Sequence, residues 1–285
     1  MINLAADTFV DAAGNRHGCA GPNARIACLV PSITELVCEL GLIDQLVART
    51  GFCVHPRPAI DAIPKVGGTK DVHLDRLRDL APTHVIVNID ENEKPMAERI
   101  AEFVPNMIVT HPKGPADNLA LYCLIGGIFG RAAQAQVWCA RFESALQAAH
   151  RECAAFARRR VLYLIWKDPW MTVSRDTYVA RTLAVAGWDT VPALAAVRYP
   201  AIDLDAAVRE ADLVLLSTEP YRFDQAHAST LAKRWPDKQV ALIDGEMTSW
   251  YGTRAVEGLH YLARLRRELD VGWQMLSARR GGAAL

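Results

Sequence analysis

The side chains best suited to binding chemistry follow short apolar runs, and they combine aromatic rings with a few polar groups. In the second half of the chain they are Trp166, Trp170, Glu219, Tyr221, Trp250 and Tyr251. In the first half they are Ser32, Thr34, Phe52, His55, Gly68, Thr69, Asn88, Glu91 and Asn92. Large rings with few polar contacts are typical of a site for a large, flat, partly apolar ligand. We therefore predict a ligand-binding site built from both sets.

His55 is the candidate for contact with a metal. Neutral imidazole binds transition metals well, so His55 could supply an axial nitrogen to a metal held by a chelating ligand. A second hypothesis is direct binding of a transition-metal ion by His55 with Glu219 or Asp244, although the sequence has no closely spaced ligand motif.

No catalytic motif is present: the sequence has neither a Gly-x-Ser-x-Gly elbow nor a His-Glu-x-x-His pair. We predict a binding protein and not an enzyme, with no required cofactor. A third hypothesis is an enzyme that acts on a cofactor in the same site.

Alternating strand and helix patterns must position these side chains. The apolar run at residues 26–30 predicts a strand that Pro31 and Ser32 end, and Ser32 or Thr34 could cap the next helix, with Glu35 completing a capping box. Similar strand-helix units recur in both halves, which predicts parallel sheets. Ligands bind at the carboxyl ends of such strands, where the selected residues lie.

The region between the two halves is rich in helix formers and has no proline from residue 118 to residue 157. It predicts one long helix, or two nearly collinear ones, between two similar lobes with a ligand cleft between them. The predicted organisation is an N-terminal α/β lobe at residues 1–115, a bridging helix at residues 116–158 and a C-terminal α/β lobe at residues 159–285.

Composition narrows the class of protein and its partners. The net charge is zero, which argues against a nucleic-acid partner, and no apolar run is long enough for a membrane-embedded protein. Seven cysteines without a Cys-x-x-Cys pair, and a start without a signal-peptide pattern, predict a cytoplasmic compartment. The alternative is the periplasm, if a leader was removed. We expect a monomer.

Several segments, in their order and spacing, carry a family resemblance. They are the turn at residues 11–14, Leu29-Val30-Pro31-Ser32-Ile33-Thr34-Glu35, Val66-Gly67-Gly68-Thr69-Lys70, Leu74-Asp75-Arg76-Leu77, Leu80-Ala81-Pro82 and Trp170-Met171-Thr172-Val173-Ser174-Arg175-Asp176-Thr177. Together they resemble the periplasmic binding proteins of iron-siderophore and vitamin B12 importers, called helical backbone metal receptors. The sequence looks closest to the cobalamin-binding branch.

This resemblance implies two Rossmann-like lobes bridged by one long backbone helix. It also implies a metal-chelate ligand: cobalamin or another corrinoid first, with haem or a ferric siderophore as alternatives. Family members that dock on an ABC permease carry one acidic residue on each lobe, usually Glu. The matching residues here are Asp75 and Asp205, which keep the charge on a shorter side chain.

Overall fold

The computed structural model describes residues 8–193 and 196–281, with side chains described up to residue 272. These residues form two compact units. The first comprises residues 8–112, 116–142 and 251–254. The second comprises residues 113–115, 143–193, 196–250 and 255–281.

The first unit is built on a four-stranded parallel sheet and a small antiparallel hairpin. Its strands are β1 (Phe9–Val10), β2 (Arg16–His17), β3 (Ile26–Cys28), β4 (Leu46–Arg49), β5 (His84–Asn88) and β6 (Asn106–Thr110). Its helices are α1 (Pro31–Glu39), α2 (Leu74–Asp79), α3 (Lys94–Ala101), α4 (Asp117–Ile128) and the start of α5 (Ala132–Cys153). The sheet order is β4-β3-β5-β6.

The second unit is built on a mixed five-stranded sheet. Its strands are β7 (Arg159–Trp166), β8 (Met171–Thr172), β9 (Trp188–Thr190), β10 (Leu213–Ser217) and β11 (Gln239–Ile243). Its helices are α6 (Tyr178–Val185), α7 (Leu204–Glu210), α8 (Gln225–Arg234), α9 (Gly245–Ser249) and most of α10 (Arg254–Gly281). Only β8 runs antiparallel, against the end of β7.

The parallel strands of the two units have the same order. In the first unit β3 lies between β4 and β5, with β6 beyond β5. In the second unit β7 lies between β9 and β10, with β11 beyond β10. In each unit the chain therefore reverses direction across the sheet between its first and third parallel strands, and open α/β sheets bind ligands at the carboxyl end of such a reversal. The predicted α/β class is confirmed.

The start of α1 differs from the predicted capping box. Val30 is the N-cap residue, without a side-chain cap, and Pro31 opens the helix. Proline suits this position because the first turn has no partner for its amide hydrogen. Ser32 and Thr34 lie inside the first turn, and Glu35 pairs with Arg254 at 2.7 and 2.9 Å.

The bridging region, predicted as one long helix or two nearly collinear ones, consists of two helices. A turn at residues 129–131 separates α4 from α5, and Gly130 within it has a φ of 65°. The left-handed conformation, which glycine adopts without strain, ends α4 and prevents a continuous helix. Residues of α5 up to Phe142 belong to the first unit, and those from Glu143 belong to the second.

Residues 251–254 belong to the first unit, whereas the sequence grouped them with the C-terminal lobe. Gly252 accounts for much of this attachment. Its amide donates to Asn118 Oδ1 at 2.7 Å, and its carbonyl accepts from the Tyr122 hydroxyl at 2.8 Å. Gly252 has a φ of 79°, and a Cβ there would lie 3.2 Å from the Ser32 carbonyl oxygen.

Candidate functional site

Aromatic rings cluster at the carboxyl edge of the second unit's sheet. Trp166 ends β7 and makes an edge-to-face contact with Tyr221, with ring centroids 5.5 Å apart. Tyr221 lies 4.6 Å from Phe223, which stacks on Trp170 at 6.0 Å with nearly parallel rings. Trp166 stays 39% exposed, so this aromatic cluster is partly open to solvent. Such a surface binds a flat, partly apolar ring without a dedicated ionic contact.

His227 on α8 holds the loop that carries Tyr221 and Phe223. Its ring contacts both aromatic rings edge-on, at 5.7 and 5.4 Å. Asp224 is the N-cap of α8, accepting from the His227 amide at 3.0 Å, and its carboxylate also meets Nδ1 of His227 at 2.6 Å. The cap and the ring contacts fix the loop at the sheet edge. Phe223 and His227 were not among the predicted site residues, because neither directly follows a strand.

A depression of about 280 Å³ adjoins the aromatic cluster. Its lining combines the Trp170 ring and aliphatic side chains with the Lys167 ammonium group and His227. The lining residues are Lys167, Trp170, Ala226, His227, Thr230 and Leu231. The polar groups lie on one loop and one helix, so they could contact a substituent of a ligand held by the rings.

Glu219 and Trp250 are joined in the second unit. The indole nitrogen of Trp250 donates to Glu219 Oε2 at 3.2 Å. Gly245 allows this packing, since a Cβ there would lie 2.7 Å from the Glu219 amide nitrogen. Trp250 is only 9% exposed. The hydrogen bond between Trp250 and Glu219 therefore fixes the loop that follows β10.

On the first unit, two apolar side chains are exposed at the carboxyl edge. Phe52 follows β4 and is 63% exposed, and Ile89 follows β5 and is 50% exposed. The Phe52 ring lies beside Gly68, where a Cβ would come within 3.4 Å of it. Phe52 and Ile89 both lie at the carboxyl end of parallel strands, which is where open α/β sheets bind ligands. Phe52 and Gly68 were predicted as ligand contacts, and Ile89, which was not in that set, lies in the same loop as the predicted Glu91.

Two of the predicted site residues, Asn88 and Asn92, are buried at this edge, and their side chains hold its loops in place. Asn92 is 8% exposed and donates to the carbonyls of Leu29 at 3.3 Å and Thr69 at 2.8 Å. Asn88 is 2% exposed, and its Oδ1 accepts from the Asp90 amide at 2.8 Å. The Asn88 amide nitrogen also donates to the Thr110 hydroxyl at 3.3 Å, so the two side chains fix the loops that carry Thr69 and Ile89.

Thr34 is fully buried. Its hydroxyl donates to the Val30 carbonyl at 2.9 Å and lies 3.1 Å from the Cys53 thiol. Thr34 was predicted as a ligand contact, but a side chain with no exposed surface has no access to a ligand.

Tyr251 and Glu91 form a buried contact in the first unit. The Tyr251 hydroxyl donates to the Glu91 carboxylate. Burial raises the pKa of Tyr251 well above its usual value, and the negative charge of Glu91 raises it further. Ser32, 3% exposed, lies close enough for its hydroxyl to oppose this rise in the pKa. Tyr251 is therefore a neutral donor that holds Glu91 at the sheet edge.

His55 lies near Glu35. Burial raises the pKa of Glu35, and Arg254 and then His55 oppose this rise. Within residues 8–193 and 196–281, no group of three or more His, Cys, Asp or Glu is placed to hold a metal ion. None of the described helices is long and apolar enough to cross a membrane.

Asp75 and Asp205 occupy corresponding positions in the two units, each in the first turn of a short helix that precedes a parallel strand. The Asp75 side chain is 97% exposed and meets Arg78 at 3.3 Å. Asp205 is half exposed and accepts two hydrogen bonds from Arg234, at 2.6 and 2.7 Å.

Solved structures with the same fold include periplasmic binding proteins. The periplasmic vitamin B12 binding protein BtuF of Vibrio cholerae has a TM-score of 0.77 and 17% identity, covering 87% of this chain and 98% of its own. The periplasmic heme-binding protein RhuT from Roseiflexus sp. RS-1 has a TM-score of 0.75 and 19% identity, covering 86% and 98%. S. aureus IsdE, solved with heme, has a TM-score of 0.71 and 15% identity, covering 86% and 98%.

No curated protein sequence matches the chain. The family model described as "Periplasmic binding protein" matches residues 26–232, which is more than half of the chain. This family consists of binding proteins and not enzymes, as the sequence predicted. Its compartment corresponds to the periplasmic alternative and gives no support to the cytoplasmic prediction. The chain belongs to the periplasmic binding protein family.

Proposed function

We propose that this protein binds a metal chelate with a large flat ring and delivers it to an ABC permease. A corrinoid such as cobalamin is the ligand we favour, ahead of haem and ferric siderophores. The observation that carries the proposal is the aromatic cluster of Trp166, Trp170, Tyr221 and Phe223, with one indole exposed at the sheet edge. The vitamin B12 and heme ligands named for the similar structures support it.

A chelate fits this chemistry better than a bare metal ion. A bare ion needs several convergent ligands, and the described residues contain no such group. A chelated metal brings its own equatorial ligands and offers ring surface to aromatic side chains. The set proposed to contact it is Phe52, His55, Gly68, Thr69, Ile89, Glu91, Trp166, Lys167, Trp170 and Tyr221. Asn88, Asn92, Glu219, Trp250 and Tyr251 are proposed to position it. Ser32, which is buried beside Tyr251, is proposed to position that residue.

Spectral titration tests the ligand class. Purified protein is titrated with cyanocobalamin, dicyanocobinamide, haemin and a ferric hydroxamate siderophore, following ligand absorption and tryptophan fluorescence. We expect saturable binding of a corrinoid. Absence of binding to every one of these ligands at about 100 μM would contradict the proposal, because the binding free energy would then be weaker than about −5.5 kcal/mol.

His55 is proposed as the axial ligand of the bound metal. His55→Ala is then expected to shift the visible absorption band of the bound corrinoid, since the axial nitrogen changes the electronic state of the metal. His73→Ala is a matched control, because His73 is exposed and precedes α2. An unchanged band in His55→Ala would remove the axial role and leave the ligand class untouched.

Asp75 and Asp205 are proposed to dock on arginines of the permease. Asp75→Asn with Asp205→Asn is expected to leave ligand affinity unchanged and to abolish stimulation of ATP hydrolysis by the reconstituted transporter. Asp61→Asn, at an exposed position of the first unit, is the control. We also propose the periplasm, or an equivalent compartment outside the cytoplasm, as the site of action.

A further inference from the structure

Two cysteines face each other across α4 and α5 in the first unit. The sulfur atoms of Cys123 and Cys139 lie 3.9 Å apart, although the residues are 16 positions apart in the chain. The Cys139 thiol also lies 3.8 Å from the Leu119 carbonyl oxygen of α4. A disulfide bond is about 2.05 Å long, so rotation of the two side chains has to bring the sulfur atoms about 1.9 Å closer.

The two helices approach closely enough for such a bond. A Cβ added to Gly126 would lie 2.5 Å from Cβ of Ala135 and 3.0 Å from the Arg131 carbonyl oxygen. Cys123 lies one turn before Gly126, and Cys139 lies one turn after Ala135. The helices run in opposite directions from the turn at residues 129–131. The two cysteines therefore face each other one helical turn further from that turn than Gly126 and Ala135 do. Disulfides need this short separation of backbones.

We propose that Cys123 and Cys139 form a reversible disulfide bond that joins α4 to α5. The proposal rests on the placement of the two thiols and does not depend on the identity of the ligand.

The bond forms by two exchange steps with a small-molecule disulfide such as oxidised glutathione. The thiolate of Cys139, the more exposed of the two, attacks one glutathione sulfur and releases one glutathione thiol. The thiolate of Cys123 then attacks Cys139 Sγ and releases the second. The two protein thiols are oxidised, the glutathione disulfide is reduced, and the two protons pass to the released thiolates.

The other cysteines have different surroundings. Cys53 is buried against the hydroxyls of Thr34 and Thr50, each 3.1 Å from its sulfur. Burial raises the pKa of Cys28 and of Cys38, the latter to about 12, which disfavours thiolate exchange at both. Burial also raises the pKa of Cys123, so only a small fraction of this thiol is ionised. Cys123 can still act as the second nucleophile, because the mixed disulfide that it attacks lies next to it in the same molecule.

Mass spectrometry of the full chain tests the bond. Reduced protein is incubated with oxidised glutathione, alkylated in denaturant, and digested without reduction. We expect loss of two alkylatable thiols out of seven and one linked peptide pair containing Cys123 and Cys139. Dithiothreitol should restore both thiols. We also expect the oxidised protein to melt several degrees above the reduced protein, because the bond restricts the unfolded chain.

Cys139→Ser should lose the linked pair and the difference in melting temperature, whereas Cys38→Ser, a half-buried cysteine on α1, should keep both. The peptide map of the unaltered chain decides the matter even if a variant folds poorly. Full alkylation of all seven thiols after oxidation, or a different linked pair, would overturn the proposal.

Discussion

At the scale of single residues, Asp11 shows how one carboxylate organises a segment. It accepts from the amides of Ala13, Asn15 and Val109, each at 2.9 Å, and from the side chains of Asn15 and His17, each at 3.0 Å. The β1–β2 hairpin is thereby fastened to β6. Burial opposes ionisation of Asp11, but these hydrogen bonds outweigh it and lower its pKa below the usual value.

Asp11→Asn is expected to lower the free energy of unfolding at pH 7 by about 1–3 kcal/mol, because hydrogen bonds to a charged acceptor are lost. The folded-state pKa lies below the unfolded-state pKa. The stabilisation is therefore present above the unfolded value of about 4 and disappears as the pH falls through the folded value. Urea denaturation at pH 7, 4 and 3 measures the difference, with the exposed Asp75→Asn as control. A difference that stays constant with pH would contradict this account.

Trp166 is the residue we expect to contribute most ligand contact without a structural role. Trp166→Ala should weaken chelate binding about tenfold, which corresponds to the loss of one aromatic contact of about 1.4 kcal/mol. Titration of the variant and of Trp138→Ala, a tryptophan on α5 stacked under Arg141, measures the effect. Equal affinities for Trp166→Ala and the unaltered protein would move the ligand away from the aromatic cluster.

At the scale of elements, the sequence predicted strands and helices where periodicity was local. The strand predicted at residues 26–30 begins at Ile26 as β3 and ends two residues early, at Cys28. The prediction of a capping box at α1 was wrong, because the helix begins at Pro31 and Ser32 lies inside it. The Glu35 side chain, which the capping box required, pairs with the distant Arg254 instead. Local patterns specify an element, whereas its cap depends on which distant groups reach it.

Gly252, in the segment of residues 251–254 that belongs to the first unit, is expected to tolerate substitution poorly. Gly252→Ala is expected to destabilise the protein more than Gly130→Ala. Both positions have left-handed backbone, which disfavours alanine by about 1 kcal/mol, but only Gly252 is crowded, with Leu36 Cβ 3.3 Å from an added Cβ. Nothing lies within 4 Å of an added Cβ at Gly130. Thermal denaturation measures both variants, and equal destabilisation would show that crowding at Gly252 is relieved cheaply.

At the scale of the whole molecule, two units with the same order of parallel strands present the same kind of edge. Repetition of one strand-helix pattern explains why the sequence predicted two similar lobes. The edges differ in chemistry: the second unit carries the aromatic cluster, while the first carries buried amides with Phe52 and Ile89 exposed.

Ligand binding is expected to stabilise the folded protein as a whole. A chelate present at one hundred times its Kd should raise the free energy of unfolding by about 2.7 kcal/mol if it binds only the folded state. For a chain of this length the melting temperature should rise by roughly 5 °C. Circular dichroism melting with and without cyanocobalamin measures the rise. An unchanged melting temperature at a concentration that saturates the spectral titration would contradict binding to the folded state alone.

The sequence by itself determined the α/β class, the order of elements and most aromatic residues of the candidate site, because periodicity and strand ends are encoded in neighbouring residues. Only the tertiary structure decided that Thr34 is buried, that Phe223 and His227 join the aromatic cluster, and that residues 251–254 belong to the first unit. The pair of Arg254 and Glu35 joins residues 219 positions apart. Contacts at that separation depend on how the whole chain packs, and no local pattern of residue types carries them.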